Sequence, residues 1–228
     1  MNTPFIATSG GLGTVETMTM TKRPVDVPAG PPRPTEGNAR LTAAAAAVLF
    51  CLFAAEGVTL LQVKSLLTPH VFIGMLLVPP TLVKMGTTGW RMVRYYQGDP
   101  AYRAKGPPLL MLRLLGPVVV VLTVVVLASG IVLLLVGSAW RDRLLLVHKA
   151  SFVLWFGAMT VHVLGHLLET ARLAPADWVR RTRREVRGAG LRQWILAASL
   201  VAGFVLGFLL VPKVGPWLVT GVPGQGGH

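Results

Sequence analysis

Five long runs of apolar residues, separated by polar and basic segments, dominate the pattern of the chain after residue 40. Each run approaches the length of about 20 residues with which an α-helix crosses the hydrocarbon core of a bilayer. The pattern predicts transmembrane helices over about residues 41–61, 70–90, 114–137, 144–169 and 194–212. We therefore expect an all-α integral membrane protein without a soluble domain.

The two ends of the chain lack this pattern. Residues 1–40 are rich in Thr, Pro and Gly, and residues 213–228 end in a Gly-rich stretch. Segments of this composition cannot bury enough apolar surface to offset the entropy of ordering. We expect a disordered cytoplasmic tail over 1–40, a five-helix transmembrane domain over 41–212, and a flexible extracytoplasmic tail over 213–228.

Composition and charge agree with a membrane protein and give it an orientation. The chain is 53% hydrophobic and 14% charged, whereas soluble domains carry about 25% charged residues. Its net charge is +13, and most basic residues fall in the N-terminal tail and in the loops after the second and fourth spans. Because basic loops stay in the cytoplasm, this asymmetry predicts a membrane protein with its N-terminus inside and its C-terminus outside. The bias toward Ala, Val, Leu, Arg and Gly suits a GC-rich bacterial genome, so we expect a bacterial plasma-membrane protein. The basic loops then face anionic lipid rather than nucleic acid.

The first four spans form two similar hairpins. The first and third spans each place a glycine, Gly57 and Gly130, about one turn before their outer end. The second and fourth spans each carry a histidine in their first turn, His70 and His148. Since these two spans run in parallel, the histidines are expected at the same depth near the outer face. This pattern predicts a four-helix transmembrane bundle made from two hairpin repeats, with the fifth helix packed outside it.

Two imidazoles that face each other beside glycines indicate a bis-histidine haem pocket. Haem iron takes one nitrogen from each side of the porphyrin, and small residues let the macrocycle approach the backbone. His162 follows His148 by 14 residues, which is about 21 Å along a helix and close to four full turns. This spacing would place one ligand near each face of the membrane.

The segments around these histidines resemble those of a known family. They are Pro69-His70-Val71-Phe72-Ile73-Gly74, Val147-His148 and Val161-His162-Val163-Leu164-Gly165-His166. Over about residues 41–170 the chain resembles the di-haem, four-helix membrane cytochromes b, which include the prokaryotic cytochrome b561 type, the b subunits of formate and thiosulfate oxidoreductases, and ferric-reductase-like proteins. The resemblance implies haem b held by paired histidines. Lys84 stands where that family has a fourth ligand, so we expect one haem between His70 and His148 and leave a second open.

The remaining polar residues within the spans allow more than one interpretation. Glu56 is expected near the depth of His70, where it would accept a proton from that ring or from a quinol. Lys84 either extends its amine to the headgroups or serves a substrate or proton. His162 and His166, with Glu169, present nitrogen and oxygen ligands that suit zinc; alternatively, they hydrogen-bond a quinone or a haem propionate.

The function predicted from these residues is electron transfer between a quinol or an extracytoplasmic partner and a separate redox chain. The expected partners are the lipid bilayer, a quinone and that redox chain, and the oligomeric state is left open. The chain shows no nucleophile–base pair, phosphate loop or nucleotide fingerprint, so it would be at most the membrane cytochrome subunit of an oxidoreductase. The alternative is a haem-free scaffold or a small transporter subunit, in which Glu56 and Lys84 line a pathway.

Overall fold

The computed structural model describes residues 35–104, 106, 110–136 and 138–220, and within this part of the chain all regular structure is helical. Five long helices are α1 (Glu36–Leu61), α2 (Leu67–Tyr96), α3 (Leu110–Leu135), α4 (Ser138–Leu173) and α5 (Ala189–Leu210). Short helical segments are Pro100–Ala104, Ala174–Asp177, Arg180–Arg183, Val211–Val214 and Gly215–Thr220. All five long helices are long and apolar enough to cross a membrane. The predicted all-α, multi-pass membrane architecture is confirmed.

The helices extend beyond the predicted spans. The helix α1 begins at Glu36, so the prediction of a disordered tail is wrong for residues 36–40, while residues 1–34 lie outside the described residues. The helix α4 begins at Ser138, six residues before the predicted span. Hydropathy marks only the part of a helix within hydrocarbon, whereas its backbone bonds continue unchanged into the headgroup region, where charged side chains reach water.

Large apolar side chains cover the outside of the molecule. Leu61, Leu168, Trp194 and Phe208 each leave between 71% and 81% of their surface exposed. In water, an apolar surface of this extent would drive association. In a bilayer the same surface contacts lipid chains.

The helices alternate in direction and form two antiparallel hairpins. One hairpin consists of α1 and α2, the other of α3 and α4, and α5 packs against α2. We call the end at which α1 begins the basic end, and the end at which α1 leads into α2 the far end. The packing agrees with the predicted bundle of two hairpins with a fifth helix beside it.

Small residues allow α5 to approach α2 closely. A Cβ atom on Gly203 would lie 2.5 Å from the carbonyl oxygen of Leu76, and one on Gly207 would lie 2.9 Å from the ring of Phe72. Ser199, four residues before Gly203, is buried on the same face. Such spacing of small residues is a common means of bringing membrane helices together. The fifth helix is thereby held against the helix that bears His70.

A buried ion-pair network joins three segments at the basic end. Arg40 is only 2% exposed, and its guanidinium donates to Glu36 Oε1 at 2.6 Å, to the carbonyl oxygen of Thr182 at 2.7 Å and to Asp177 Oδ1 at 3.4 Å. The same Asp177 carboxylate accepts a hydrogen bond of 2.7 Å from Arg192. The network ties the start of α1 to the α4–α5 connection and to the start of α5.

The C-terminal segment folds back across the far end. Residues Val211–Val214 contact α2 and α3, and the side chains of Val214 and Trp217 are 2% and 6% exposed. The guanidinium of Arg141 lies 4.5 Å above the Trp217 ring. The predicted flexible tail is therefore wrong for residues 213–220, since burial of the indole and its cation–π contact order the segment. Residues 221–228 lie outside the described part of the chain.

Candidate functional site

The four helices of the two hairpins line one large cavity. Its volume is about 1450 Å³, and its lining includes His70 and His148 at the far end and Lys84, His162 and His166 toward the basic end. Pockets for a single small ligand usually measure about 300–1,000 Å³. The cavity therefore has room for a bulky ligand.

The structure brings His70 and His148 together across this cavity. Their ring centroids lie 6.4 Å apart, and the ring planes are inclined by 78°. His70 lies in the first turn of α2, as expected. His148 lies in the third turn of α4 rather than the first, because α4 begins earlier than the apolar run.

Residues of α1 orient the ring of His70. Its Nδ1 atom lies 2.8 Å from Glu56 Oε1 and 3.1 Å from Thr59 Oγ1. The Thr59 hydroxyl donates to the backbone carbonyl of Glu56 at 2.6 Å, so Nδ1–H of His70 is the donor to the carboxylate. Both side chains are largely buried, with 18% of His70 and 14% of Glu56 exposed. In a medium of low polarity, such a bond fixes the tautomer of the ring.

The second hairpin orients His148 in the equivalent way. The Nδ1 atom of His148 lies 3.0 Å from the carbonyl oxygen of Val126 and 3.0 Å from Ser129 Oγ. Because a carbonyl oxygen only accepts, Nδ1 of His148 carries the proton. Ser129 precedes Gly130 as Glu56 precedes Gly57, so the two hairpins place equivalent residues on the two rings.

In both rings the Nδ1 atom is the one that meets the acceptor of its own hairpin, so the Nε2 atom lies on the other side of the ring. Neither Nε2 atom forms a hydrogen bond with any of the residues that the structure describes. Two imidazoles that bind one metal ion from opposite sides, with metal–nitrogen bonds of about 2.0–2.1 Å, have ring centroids about 6.5 Å apart. The observed centroid separation of 6.4 Å is close to this value.

The two glycines of the repeat have different surroundings. A Cβ atom on Gly130 would lie 3.2 Å from Cε1 of His148, whereas one on Gly57 would have no neighbour within 4 Å. Gly130 thus leaves room for the imidazole of its own hairpin. Gly57 instead borders the open cavity.

Aromatic side chains form a wall of the cavity between its ends. Trp155 is 5% exposed and donates from Nε1 to Thr123 Oγ1 at 2.9 Å. Its ring centroid lies 4.7 Å from that of Phe53 and 6.2 Å from that of Phe152. The indole N–H is satisfied, so the wall presents an apolar surface to the cavity.

The basic end of the cavity has a different arrangement. His162 and His166 both belong to α4, with ring centroids 4.9 Å apart. The Nδ1 atom of His162 is buried without a hydrogen-bond partner among the described residues, and Nδ1 of His166 lies 3.8 Å from Glu169 Oε2. Lys84 on α2 donates to the carbonyl oxygen of Thr42 at 3.4 Å. The second hairpin thus supplies both rings, and the first supplies an amine.

The zinc interpretation of His162, His166 and Glu169 is not supported by this geometry. Within the described residues, no group of three or more His, Cys, Asp or Glu side chains is placed to hold a metal ion. A metal site with only two histidine ligands needs further ligands from outside the protein. A porphyrin is one such source, because it supplies four nitrogens.

The sequence pointed to His70, His148 and Gly130 and to Glu56 as an acceptor for the His70 ring, but it did not point to Thr59 or to the carbonyl of Val126. Thr59 lies three residues after Glu56 on the same face of α1, and this spacing was a usable signal. The carbonyl of Val126 carries no signal in the sequence, because any residue has one.

No model of a protein family matches the chain, and neither a curated protein nor a solved structure does. The resemblance to membrane cytochromes b consequently depends on the placement of the histidines. Function has to be argued from the geometry of the site itself.

Proposed function

We propose that this chain is a b-type haem protein of the membrane that passes electrons between a quinol or an extracytoplasmic partner and a separate redox chain. The observation that carries the proposal is the pair of imidazoles of His70 and His148, 6.4 Å apart across an apolar cavity. Haem iron bound between them would supply a one-electron redox centre.

The protein's own contribution is to hold the two rings in one tautomer and one orientation. Glu56 accepts the Nδ1 proton of His70, and the Val126 carbonyl accepts that of His148. In a neutral imidazole, a proton held at Nδ1 leaves Nε2 unprotonated, which is the state that the ring needs to bind a metal. The two acceptors differ in charge, since His70 bonds to a carboxylate and His148 to a neutral carbonyl.

The surroundings of the pair favour a macrocycle over a free metal ion. Between the rings and the basic end, the cavity walls are mostly apolar and include Trp155 and Phe152. An apolar wall excludes water and suits the flat face of a porphyrin. Lys84 lines the other end of the same cavity, 14 residues or about 21 Å along α2 from His70.

The experiment that tests this proposal is a spectrum of the purified full-length protein from haem-sufficient cells. We expect a red preparation with a b-type reduced-minus-oxidised difference spectrum. His70→Ala and His148→Ala should each reduce haem content at least tenfold. His166→Ala, which removes an imidazole from the same helix as His148, serves as the matched control and should retain the spectrum.

A colourless wild-type preparation would refute the proposal and favour the haem-free scaffold or transporter. Equal loss of haem in all three variants would also contradict it, because such a result assigns no special role to the facing pair. Size-exclusion profiles of the variants distinguish loss of haem from loss of the fold.

A further inference from the structure

Four arginines surround a second cavity at the basic end, and it shares no lining residue with the large one. Its volume is about 520 Å³. The lining residues are Arg180, Arg183, Arg184, Val186, Arg187, Gly188, Ala189 and Gly190. We call this cavity the arginine pocket.

The carboxylates nearby do not neutralise the arginine pocket. Asp177 is engaged by Arg192 and Arg40, and Glu185 lies 3.2 Å from the guanidinium of Arg40. Across the described ranges, no Asp or Glu lies within ion-pair distance of the four pocket arginines. The arginine pocket therefore keeps its positive charge, and a ligand that matches it carries negative charge.

The guanidinium groups of the pocket favour a phosphate over other anions. The planar fork of an arginine binds two oxygens of a phosphate at once, which a lysine ammonium cannot do. At the rim of the pocket, Gly188 adopts a left-handed φ of +84° and leads directly into α5. The chain therefore turns into the membrane helix at the pocket itself.

The exposed side chains next to the pocket identify the ligand as a lipid. Trp178, Leu191 and Trp194 are 63%, 67% and 74% exposed. Exposed tryptophans mark the level of the lipid headgroups. Further along α5, Phe204 and Phe208 continue an exposed apolar surface toward the far end. A molecule with a phosphate in the pocket and acyl chains along α5 fits both parts.

We propose that the arginine pocket binds the headgroup phosphate of an anionic phospholipid whose acyl chains lie along the outer face of α5. An anionic lipid is preferred to a zwitterionic one because the latter brings its own ammonium group to a pocket of guanidinium groups. This site is independent of the histidine pair and of any haem.

Native mass spectrometry of the delipidated full-length chain in detergent tests the proposal. Phosphatidylglycerol, cardiolipin or phosphatidylethanolamine is titrated into the wild-type protein, and inorganic phosphate is added as a competitor. We expect retention of the two anionic lipids, at least fivefold weaker retention of phosphatidylethanolamine, and no displacement by phosphate at equal concentration. Displacement by phosphate would assign the pocket to a free anion, and equal retention of all three lipids would overturn the proposal.

A pair of double variants locates the binding. Arg184→Gln with Arg187→Gln removes two pocket arginines, whereas Arg172→Gln with Arg181→Gln removes two exposed arginines that do not line the pocket. Both pairs lower the net charge equally. We expect roughly tenfold weaker binding of phosphatidylglycerol in the pocket variant and less than a twofold change in the control. Equal weakening in both would show a diffuse charge effect and refute a specific site. If the pocket variant does not fold, the lipid titration of the wild-type protein tests the proposal by itself.

Discussion

The large cavity has histidines at both ends, but the two ends are built differently. At the far end, His70 and His148 come from different hairpins, and their ring centroids lie 6.4 Å apart with the planes nearly perpendicular. At the basic end, His162 and His166 are neighbours on α4, and the first hairpin offers Lys84 instead of a ring. The repeat thus places two opposed imidazoles at one end only.

The hydrogen bonds of the rings show the same difference. At the far end, each Nδ1 atom has an acceptor on the other helix of its own hairpin. At the basic end, Nδ1 of His162 is buried without a hydrogen-bond partner among the described residues. A ring without such an acceptor has no fixed tautomer. The rings of His70 and His148 are thus both held by acceptors of their own hairpins, and the ring of His162 is not.

The largest effect is expected from a change that displaces one ring. Gly130→Leu would place a side chain where a Cβ atom already comes within 3.2 Å of the His148 ring. We expect haem content to fall at least tenfold, measured by the pyridine haemochrome assay. The control is Gly157→Leu on α4, where a Cβ atom has no neighbour within 4 Å. If Gly130→Leu retained its haem, the position of the His148 ring would not determine haem binding, and the prediction would be wrong.

The second prediction concerns stability and should affect the fold rather than the cofactor. Asp177→Asn removes the charge that Arg40 and Arg192 share at the basic end. An uncompensated buried charge costs about 3–5 kcal/mol, so we expect a lower Tm in detergent with an unchanged ratio of haem to folded protein. A fall in that ratio without a change in Tm would show that the two ends are coupled.

Third, the acceptor of His70 should influence the redox potential. Glu56→Gln replaces a carboxylate with a neutral acceptor, which makes the imidazole less electron-donating and favours the reduced state. We expect the midpoint potential to rise by on the order of 50 mV in a spectroelectrochemical titration. Ser129→Ala, which removes a neutral hydroxyl from the equivalent position, should shift the potential less. A shift of equal size in both variants would contradict the role of charge.

The smallest effect is expected at Lys84. Lys84→Gln removes the amine from the basic end, and we expect one haem per chain with an unaltered difference spectrum. The outcome is read from haem stoichiometry and the spectrum, with Lys64→Gln as a control lysine outside the cavity lining. Loss of half or more of the haem in Lys84→Gln would show that the basic end also holds the cofactor.

The sequence predicted the five membrane helices and their alternation, because long apolar runs have few other interpretations. It also placed His70 and His148 at one depth, since both follow a turn at the same end of equivalent hairpins. The basic-end network was not predicted. Arg40 looked like one of many basic residues near a span, and only its burial beside Asp177 distinguishes it.

Two other features depend on tertiary contacts that the sequence does not reveal. The segment over 213–220 has the composition of a flexible tail, yet Trp217 is buried beneath Arg141. Gly203 and Gly207 have the spacing of a helix-packing motif, but the spacing does not say which helix they meet. Their partner, α2, became evident only from the structure.

The close contact of α5 with α2 has a consequence for the order of biogenesis. Synthesis proceeds from the N-terminus, so α5 and the segment that carries Val214 and Trp217 leave the ribosome after both hairpins. Until they arrive, the hairpins lack the last helix and the closing segment at the far end. The cavity between the hairpins is thus most open early in biogenesis, and the packing of residues 189–220 completes the fold.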